Sequence, residues 1–214
     1  MSSTHDPRGQ NGYRAESKDF FETPPWAVDR LLDAVELPTG LYLEPGAGRG
    51  SIIRAVNARM TGARWTAIEQ NPAFEPDLLA SGVRPLQVVI DDFLNVEPPP
   101  WKFDVTIGNP PYRDAMRFLQ HAFTMSKMVI FLLRNGFLAT EERNPFMRAN
   151  PPDVFFLPNR PPYRGNGTDS TDYGWFVWYP GVQRQQGTLE ILGLTPLKER
   201  RPLRDTLGAQ TGGQ

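Results

Sequence analysis

The stretch LYLEPGAGRG at residues 41–50 decides the fold, because a short apolar strand there runs into a glycine-rich turn. Leu41-Tyr42-Leu43 predicts the strand, and residues from Ser51 to Met60 fit a helix that follows it. Glycines at positions 46, 48 and 50 let the backbone turn tightly and come close to a ligand. The turn differs from the dinucleotide-binding pattern G-x-G-x-x-G, because its third glycine comes one residue early. An ordinary strand-to-helix turn therefore stays open as the alternative to a ligand-binding turn.

Outward from this stretch, strands and helices alternate along the chain. Apolar segments predict further strands at Trp65–Ile68, Leu86–Ile90, Phe103–Ile107, Met128–Leu133, Val154–Leu157, Trp175–Tyr179 and Thr188–Leu192. Further helices are predicted at Glu75–Ala80 and Arg113–Met125. This alternation predicts an α/β fold in which helices cover both faces of a mostly parallel sheet. Ligands on such sheets bind beyond the carboxyl ends of the strands, so the residues there form the candidate site.

The chain length of 214 residues predicts one domain, which we place at residues 19–198. Polar segments without periodicity predict a flexible N-terminal arm at 1–18 and a flexible C-terminal tail at 199–214. The longest apolar run, Met128–Leu133, has six residues, far fewer than a membrane-spanning helix needs. The first ten residues contain no apolar stretch of signal-peptide length, so we expect a cytoplasmic protein without a membrane partner.

Composition excludes several kinds of site. The chain has no cysteine, which excludes disulfides, thiolate metal ligands and cysteine nucleophiles. His5 and His121 are the only histidines, which argues against a histidine-rich metal site. The net charge is −1, but residues 1–112 carry −5 and residues 113–214 carry +4. Most of the basic residues are arginines, which are good planar partners for phosphates and bases, although a chance distribution of charge stays open.

Acidic residues follow the second and third predicted strands. Glu69 lies 21 residues beyond Gly48, and an acid about 20 residues past a glycine-rich turn can bind the hydroxyls of a ribose. After the third strand comes Asp91-Asp92-Phe93, where a carboxylate could accept a hydrogen bond from an adenine amino group, with Phe93 against the ring. Taken alone, Glu69 also fits a solvated loop residue and Asp92 fits a turn or a helix N-cap.

The sharpest signal is Asn109-Pro110-Pro111-Tyr112, which follows the fourth predicted strand. The prolines fix the backbone, so that the Asn109 amide oxygen and the Pro110 carbonyl present two acceptors side by side. Together they can hold both hydrogens of a planar –NH2 group, which frees the nitrogen lone pair for attack on an electrophile. Tyr112 offers a flat face on which a base can stack. The alternative is a proline-rich turn with a buried tyrosine.

The order and spacing of these motifs resemble those of the class I S-adenosylmethionine-dependent amino-methyltransferases, in particular the adenine-N6 DNA methyltransferases. Residues 44–50 match the first cofactor motif of that family, Glu69 its ribose acid and Asp92-Phe93 its adenine-contacting pair. Asn109–Tyr112 matches its catalytic N-P-P-Y motif.

Two further segments carry the resemblance, which covers about residues 19–180. FFETPP at residues 20–25 looks like the Phe-x-Thr-Pro segment of the family, in which the threonine region lies near the methionine carboxylate of the cofactor. Residues 160–163 and DYGWFVW at 172–178 resemble the last hairpin of small phage or prophage members.

The resemblance implies a Rossmann-like class I methyltransferase fold, with a seven-stranded, mostly parallel sheet and a C-terminal antiparallel hairpin. It implies S-adenosylmethionine as the cofactor, S-adenosylhomocysteine as the product, and no metal. The cofactor-binding residues that it implies are Thr23, Pro24, Glu44, Pro45, Gly46, Ala47, Gly48, Glu69, Gln70, Asp92, Phe93 and Asn109. The catalytic residues that it implies are Asn109, Pro110, Pro111 and Tyr112.

The reaction implied is methyl transfer to the N6 amine of a DNA adenine that is flipped out of the helix. The same N-P-P-Y chemistry serves methyltransferases of RNA adenine or guanine and of a protein glutamine, and these substrates stay open. A nucleotide-binding module without turnover stays open as well.

Only 34 residues follow Pro180, too few for a separate target-recognition domain, so we expect low or short sequence specificity. Contacts to the DNA phosphates are expected from arginines outside the predicted strands, with solvated arginines as the alternative. These arginines are Arg113, Arg134, Arg143, Arg148, Arg160 and Arg164. We expect a monomer or weak dimer, encoded by a bacterium or a phage.

Overall fold

A computed structural model describes residues 21–82, 87–161 and 171–200, and every strand in these ranges belongs to one sheet. In chain order the strands are β1 (Gly40–Pro45), β2 (Ala63–Glu69), β3 (Gln87–Ile90), β4 (Val105–Gly108), β5 (Val129–Arg134), β6 (Asp153–Phe156), β7 (Tyr173–Trp178) and β8 (Leu189–Ile191). The helices are α1 (Pro25–Ala34), α2 (Ser51–Arg59), α3 (Glu75–Ala80), α4 (Ala115–Met125) and α5 (Asn144–Ala149). The predicted arm at 1–18, residues 201–214 of the predicted tail, Leu86 and Arg164 lie outside the described residues.

The strand order across the sheet is β3-β2-β1-β4-β5-β7-β6-β8. Strands β1 to β5 pair in parallel, and β6 pairs in parallel with β8. Strand β7 runs antiparallel to both of its neighbours, β5 and β6, and forms the expected hairpin with β6. The predicted α/β fold with a mostly parallel sheet and a C-terminal antiparallel hairpin is therefore confirmed, with every strand segment placed to within two residues at each end.

The sheet has eight strands, which match the eight apolar segments, and not the seven that the resemblance implied. The last of them, β8, was predicted at Thr188–Leu192 and pairs with β6 at the edge of the sheet. Asp153, the first residue of β6, holds the start of β8, because its Oδ1 accepts hydrogen bonds from both the backbone N–H and the hydroxyl of Thr188 at 2.7 Å. Arg184 donates to both oxygens of the same carboxylate, at 2.9 and 2.7 Å.

The two faces of the sheet carry separate apolar cores. Buried side chains of α1, α2 and α3 pack on one face, and those of α4 and α5 pack on the other. Successive residues of β5 alternate between these cores, with Ile130 in the first and Phe131 in the second. A strand that is covered on both faces can be apolar throughout, and this explains the unbroken run that predicted β5.

Helices α1 and α5 were not predicted from the sequence. The fixed φ of Pro25 suits the first helical position of α1, and Trp26, Ala27, Val28 and Leu31 bury one side of the helix. The indole N–H of Trp175 in β7 donates to the Ala27 carbonyl at 2.8 Å, across 148 residues of sequence. Helix α5 spans six residues between the predicted strands Met128–Leu133 and Val154–Leu157, where the sequence predicted no element. Among the described residues, no helix is long and apolar enough to cross a membrane.

Candidate active site

The residues at the carboxyl ends of β1, β2 and β4 surround one cavity of about 490 Å³. Twelve of the residues predicted for the site lie in its lining, which brings the glycine-rich turn, the end of β2 and the N-P-P-Y segment together. They are Thr23, Glu44, Gly46, Ala47, Gly48, Glu69, Gln70, Asn109, Pro110, Pro111, Tyr112 and Arg113.

The glycine-rich turn after β1 needs backbone conformations that side chains disfavour. Gly46, Gly48 and Gly50 have φ angles of 64°, 53° and 74°. At Gly50 a Cβ atom would also lie 3.0 Å from the Cβ of Ser81, so a side chain there would collide with the residue that follows α3. The turn therefore brings Gly46, Ala47 and Gly48 to the lining of the cavity.

Glu69 connects the glycine-rich turn to the end of β2. Its Oε2 accepts a hydrogen bond from the Gly48 N–H at 2.8 Å, and its Oε1 accepts one from the Asn71 N–H at 2.8 Å. The side chain is buried, with 7% of its surface exposed, and it lines the cavity. Because each carboxylate oxygen can accept more than one hydrogen bond, both can still receive the hydroxyl groups of a ribose.

Glu44, near the carboxyl end of β1, has a buried oxygen without a partner. The residue is 2% exposed and lines the cavity. Among the described residues nothing donates to its Oε2. Burial raises the pKa of this carboxyl well above its usual range, against the lowering effects of the Ile53 N–H and of the positive charge on Arg54. An unpaired buried acceptor is costly, so a donor or positive charge on a ligand would be stabilised there.

The side chain of Asn109 has a defined orientation. Its Nδ2 donates to the Thr23 hydroxyl at 3.1 Å and to the Phe21 carbonyl at 3.3 Å. A carbonyl can only accept, so the contact with Phe21 identifies which end of the amide is the nitrogen. Among the described residues no donor reaches Asn109 Oδ1 or the Pro110 carbonyl. Asn109 and Pro110 both line the cavity.

Aromatic rings and one arginine surround Tyr112. The Phe21 ring lies 6.0 Å from the Tyr112 ring between centroids, with 25° between the ring planes. The Tyr173 ring lies 5.9 Å away at 41°. The guanidinium carbon of Arg134 sits over the Tyr112 ring, 4.3 Å from its centroid. Phe21 thus contacts both residues: its ring packs beside the Tyr112 ring, and its carbonyl accepts a hydrogen bond from Asn109 Nδ2.

Four of the predicted cofactor residues do not line the cavity: Pro24, Pro45, Asp92 and Phe93. Asp92 Oδ1 accepts a hydrogen bond from the Leu94 N–H at 2.9 Å and caps a short 3₁₀ turn, which matches the turn alternative for this residue. Phe93 is 2% exposed and packs against Phe118 and His121.

Sequence reasoning missed several lining residues, which include Phe21, Arg49, Asn71 and Phe74. The Arg49 guanidinium carbon lies over the Phe74 ring, 4.7 Å from its centroid, and Arg49 also forms an ion pair with Asp77. The only signal for Arg49 was its place within the glycine-rich turn. Phe74 follows β2 by five residues and has no motif around it.

The predicted nucleic-acid arginines occupy different settings. Arg113 is exposed and lines the cavity, and Arg148 is exposed on α5. Arg143 donates to the Phe137 carbonyl at 2.7 Å and stacks over the Phe137 ring, while Arg160 pairs with Asp172. Arg134 is half-buried beside Tyr112 and is the only one of the five described arginines that contacts the N-P-P-Y segment.

Within residues 21–82, 87–161 and 171–200, no cluster of three or more histidine, aspartate or glutamate side chains has a metal-binding arrangement.

Comparisons with known proteins show what this fold is similar to. No family model and no curated protein sequence matches the chain. The 23S rRNA methyltransferase ErmE matches it with a TM-score of 0.56 at 19% identity, over 80% of this chain and 72% of ErmE. A dimethyladenosine transferase from Plasmodium falciparum matches with a TM-score of 0.56 at 18% identity, over 75% of this chain and 63% of its own.

A modification subunit assigned to a type I restriction enzyme of Vibrio vulnificus also has a TM-score of 0.56, at 14% identity over 83% of this chain and 46% of its own. At such identities the likeness establishes the class I methyltransferase fold and no more.

Proposed function

We propose that this protein transfers a methyl group from S-adenosylmethionine to an exocyclic amino group of a nucleic-acid base, and that the base is adenine in DNA, methylated at N6. The observation that carries the proposal is the pair of acceptors formed by Asn109 Oδ1 and the Pro110 carbonyl. The Asn109 amide is held by Thr23 and Phe21 with its oxygen left over, and Pro110 follows directly in the chain.

Two adjacent acceptors suit the two hydrogens of a planar amine. Such a nitrogen is a poor nucleophile, because its lone pair is delocalised into the ring. Hydrogen bonds that draw both hydrogens toward Asn109 Oδ1 and the Pro110 carbonyl favour a pyramidal nitrogen and localise the lone pair. Because the orientation is fixed before the substrate arrives, little free energy is spent on arranging the acceptors during the reaction.

The cavity residues fit the cofactor on chemical grounds. The carboxylate of Glu69 offers acceptors for ribose hydroxyls, and the unpaired Glu44 Oε2 offers a buried acceptor for an ammonium group. The positive φ angles of Gly46 and Gly48 allow close approach to the turn. When bound, S-adenosylmethionine supplies a methyl group made electrophilic by its sulfonium.

Tyr112 presents a ring on which a flipped base can stack, and Phe21 lies close enough to contact that base as well. The amine becomes acidic once it is methylated, so its extra proton can pass to water and no strong base is needed. A base inside a stacked duplex could not reach these residues, so the target must leave the helix.

Several observations support DNA adenine as the substrate, and others favour RNA. The FFETPP segment and the Tyr173–Trp178 block resemble the DNA adenine group, and one structure of similar fold is named as a restriction-modification subunit. The second candidate is adenine in RNA, favoured by the fold matches to a 23S rRNA methyltransferase and to a dimethyladenosine transferase.

The test incubates the purified protein with labelled S-adenosylmethionine and, in parallel, unmethylated DNA, total RNA or a release-factor protein. Mass spectrometry of the digested products then identifies the modified unit. We expect N6-methyladenine from DNA. Label in RNA or in protein would keep the chemistry and overturn the substrate, and no label despite cofactor binding would overturn the activity.

The matched variants are Asn109→Ala and Asn95→Ala. Asn95 is exposed and lies outside the cavity lining, so its variant controls for loss of an asparagine. We expect Asn109→Ala to lower kcat by about 100-fold or more, the usual effect of removing a preorganised polar group, with the Kd for the cofactor little changed. Full turnover by Asn109→Ala would overturn the proposal.

A further inference from the structure

Arg134 has a setting that a phosphate-binding loop arginine would not have. It is the last residue of β5 and is directly opposite Tyr173, the first residue of β7, in the antiparallel pairing. Its Nε donates to the Tyr173 hydroxyl at 3.4 Å. Residues directly opposite in such a pair project from the same face of the sheet, so the backbone itself brings the two side chains together.

The Arg134 side chain reaches from the sheet to the candidate catalytic ring. Its guanidinium carbon lies 4.3 Å from the Tyr112 ring centroid, a distance typical of a cation–π contact. The Tyr173 ring is fully buried and is itself 5.9 Å from the Tyr112 ring. Arg134, Tyr173 and Tyr112 therefore contact one another in a closed triangle, of which two members are fixed by the β5–β7 pairing.

We propose that Arg134 is a positioning residue that holds the Tyr112 ring in the orientation that stacks on the target base. This inference rests on the proposed function, because it assigns a task to a ring that the proposal places against the base. The Arg134 guanidinium contacts the Tyr112 ring and the Tyr173 hydroxyl, so a contact with a DNA phosphate would require it to leave both. The planar, delocalised guanidinium is also what makes the contact, so a lysine of equal charge would not replace it.

The first test observes the ring without any substrate. The protein is labelled with 3-fluorotyrosine, and the resonance of Tyr112 is identified among the six tyrosines by its loss in Tyr112→Phe. We expect the Tyr112 fluorine resonance to shift and broaden in both Arg134→Lys and Arg134→Met. The control is Arg64→Met, since Arg64 is exposed near the start of β2, far in the sheet from the carboxyl ends. An unchanged Tyr112 resonance in Arg134→Met would overturn the inference.

The second test separates positioning from phosphate binding by kinetics. We expect kcat for DNA methylation to fall roughly 3- to 30-fold in Arg134→Lys and about as far in Arg134→Met, a range that corresponds to the loss of one cation–π contact. The slope of log KM against log salt concentration should stay at the wild-type value in both variants. A phosphate contact would give the opposite pattern, with Arg134→Lys close to wild type and the slope of Arg134→Met reduced by about one. That pattern would overturn the inference.

The two proposals can fail separately. If wild-type protein methylates DNA or RNA and the Tyr112 resonance does not respond to Arg134, the role of Arg134 is wrong and the proposed function stands. If wild-type protein transfers no methyl group to any acceptor, the proposed function fails and the role of Arg134 fails with it, whatever the fluorine spectrum shows. Cofactor binding and thermal unfolding of each variant establish that it is folded.

Discussion

Among the described residues, the Thr23 hydroxyl is the one side-chain group that accepts a hydrogen bond from the Asn109 amide. Thr23 is 2% exposed and accepts from Asn109 Nδ2 at 3.1 Å, while the other acceptor is the Phe21 carbonyl of the main chain. A side chain at position 23 can therefore alter the orientation of the Asn109 amide, to which we assign a catalytic role, without contacting Asn109 Oδ1 or the Pro110 carbonyl.

We expect Thr23→Val, which keeps the shape and removes the hydroxyl, to lower the rate of methyl transfer in a single turnover by roughly 3- to 10-fold. This corresponds to the loss of one ordinary hydrogen bond. Thr23→Ser restores the acceptor and should recover most of the rate, which separates the hydroxyl from the methyl group. A Thr23→Val protein with the wild-type rate would show that the Phe21 carbonyl alone holds the amide.

Short-range sequence features predicted many residues of the cavity, and contacts made at long range were missed. Local sequence patterns predicted the glycine-rich turn and Asn109–Tyr112, and both segments contribute residues to the cavity lining. The contact between Asn109 and the Phe21 carbonyl joins residues that are 88 apart and involves a main-chain atom, so no residue type signals it. Asp92 shows that a local pattern can also fit two structures, since its Oδ1 caps the Leu94 N–H and the residue lies outside the cavity lining.

Strand β8 is kept on the sheet by the carboxylate of Asp153. Burial alone would raise the pKa of this carboxyl, but hydrogen bonds from Arg184 and Thr188 outweigh it and hold the pKa below its usual value of 3.8. A carboxyl with a lowered pKa in the folded state stabilises the protein above its unfolded-state pKa. That contribution is lost as the pH falls through the folded-state value.

We therefore expect Asp153→Asn to lower the free energy of unfolding by about 2 kcal/mol at pH 7, in line with the loss of hydrogen bonds to a charged group. The difference from wild type should shrink as the pH falls below about 3.8, where the unfolded carboxyl is protonated first, and it should vanish once the pH lies below the lower pKa of the folded state. Urea unfolding at pH 7 and pH 3 measures both values. Asp172→Asn, which breaks the exposed pair with Arg160, is the control and should cost less than about 1 kcal/mol.

Element by element, periodicity located the strands and missed two helices. β5 could be predicted because it is buried on both faces and apolar from Val129 to Leu133. Helix α5 has six residues, too few for an apolar stripe to repeat. Helix α1 begins at the second of two consecutive prolines, and such a pair is equally typical of an irregular turn. Periodicity did not indicate the direction of β7, which the resemblance alone implied, because that direction depends on pairing between residues as far apart as Arg134 and Tyr173.

For the whole molecule, the cavity joins the turn after β1, the end of β2 and the segment after β4, so a bound ligand would hold three connections at once. We expect S-adenosylhomocysteine at 100 times its Kd to raise the free energy of unfolding by about 2.7 kcal/mol, which corresponds to a rise of roughly 5 to 10 °C in Tm. Differential scanning fluorimetry measures the shift. Glu69→Ala should abolish most of it, and a full shift in that variant would place the ligand elsewhere.

At this scale the fold class could be predicted because alternating strands and helices permit few arrangements, and right-handed parallel connections reduce them further. The substrate could not be predicted in the same way, because a pair of acceptors at Asn109 and Pro110 would suit any planar amine.

The position of β7 has a consequence for the order in which the protein is made. β7 lies between β5 and β6, and the indole N–H of its Trp175 donates a hydrogen bond to the Ala27 carbonyl of α1. A ribosome delivers residues 21–161 first, so β5 emerges with one edge unpaired and with Ile130 and Phe131 lacking their neighbours from β7. The nascent chain therefore carries an open, apolar sheet edge until Tyr173–Trp178 has left the exit tunnel. During that interval the native core cannot yet protect this edge from aggregation.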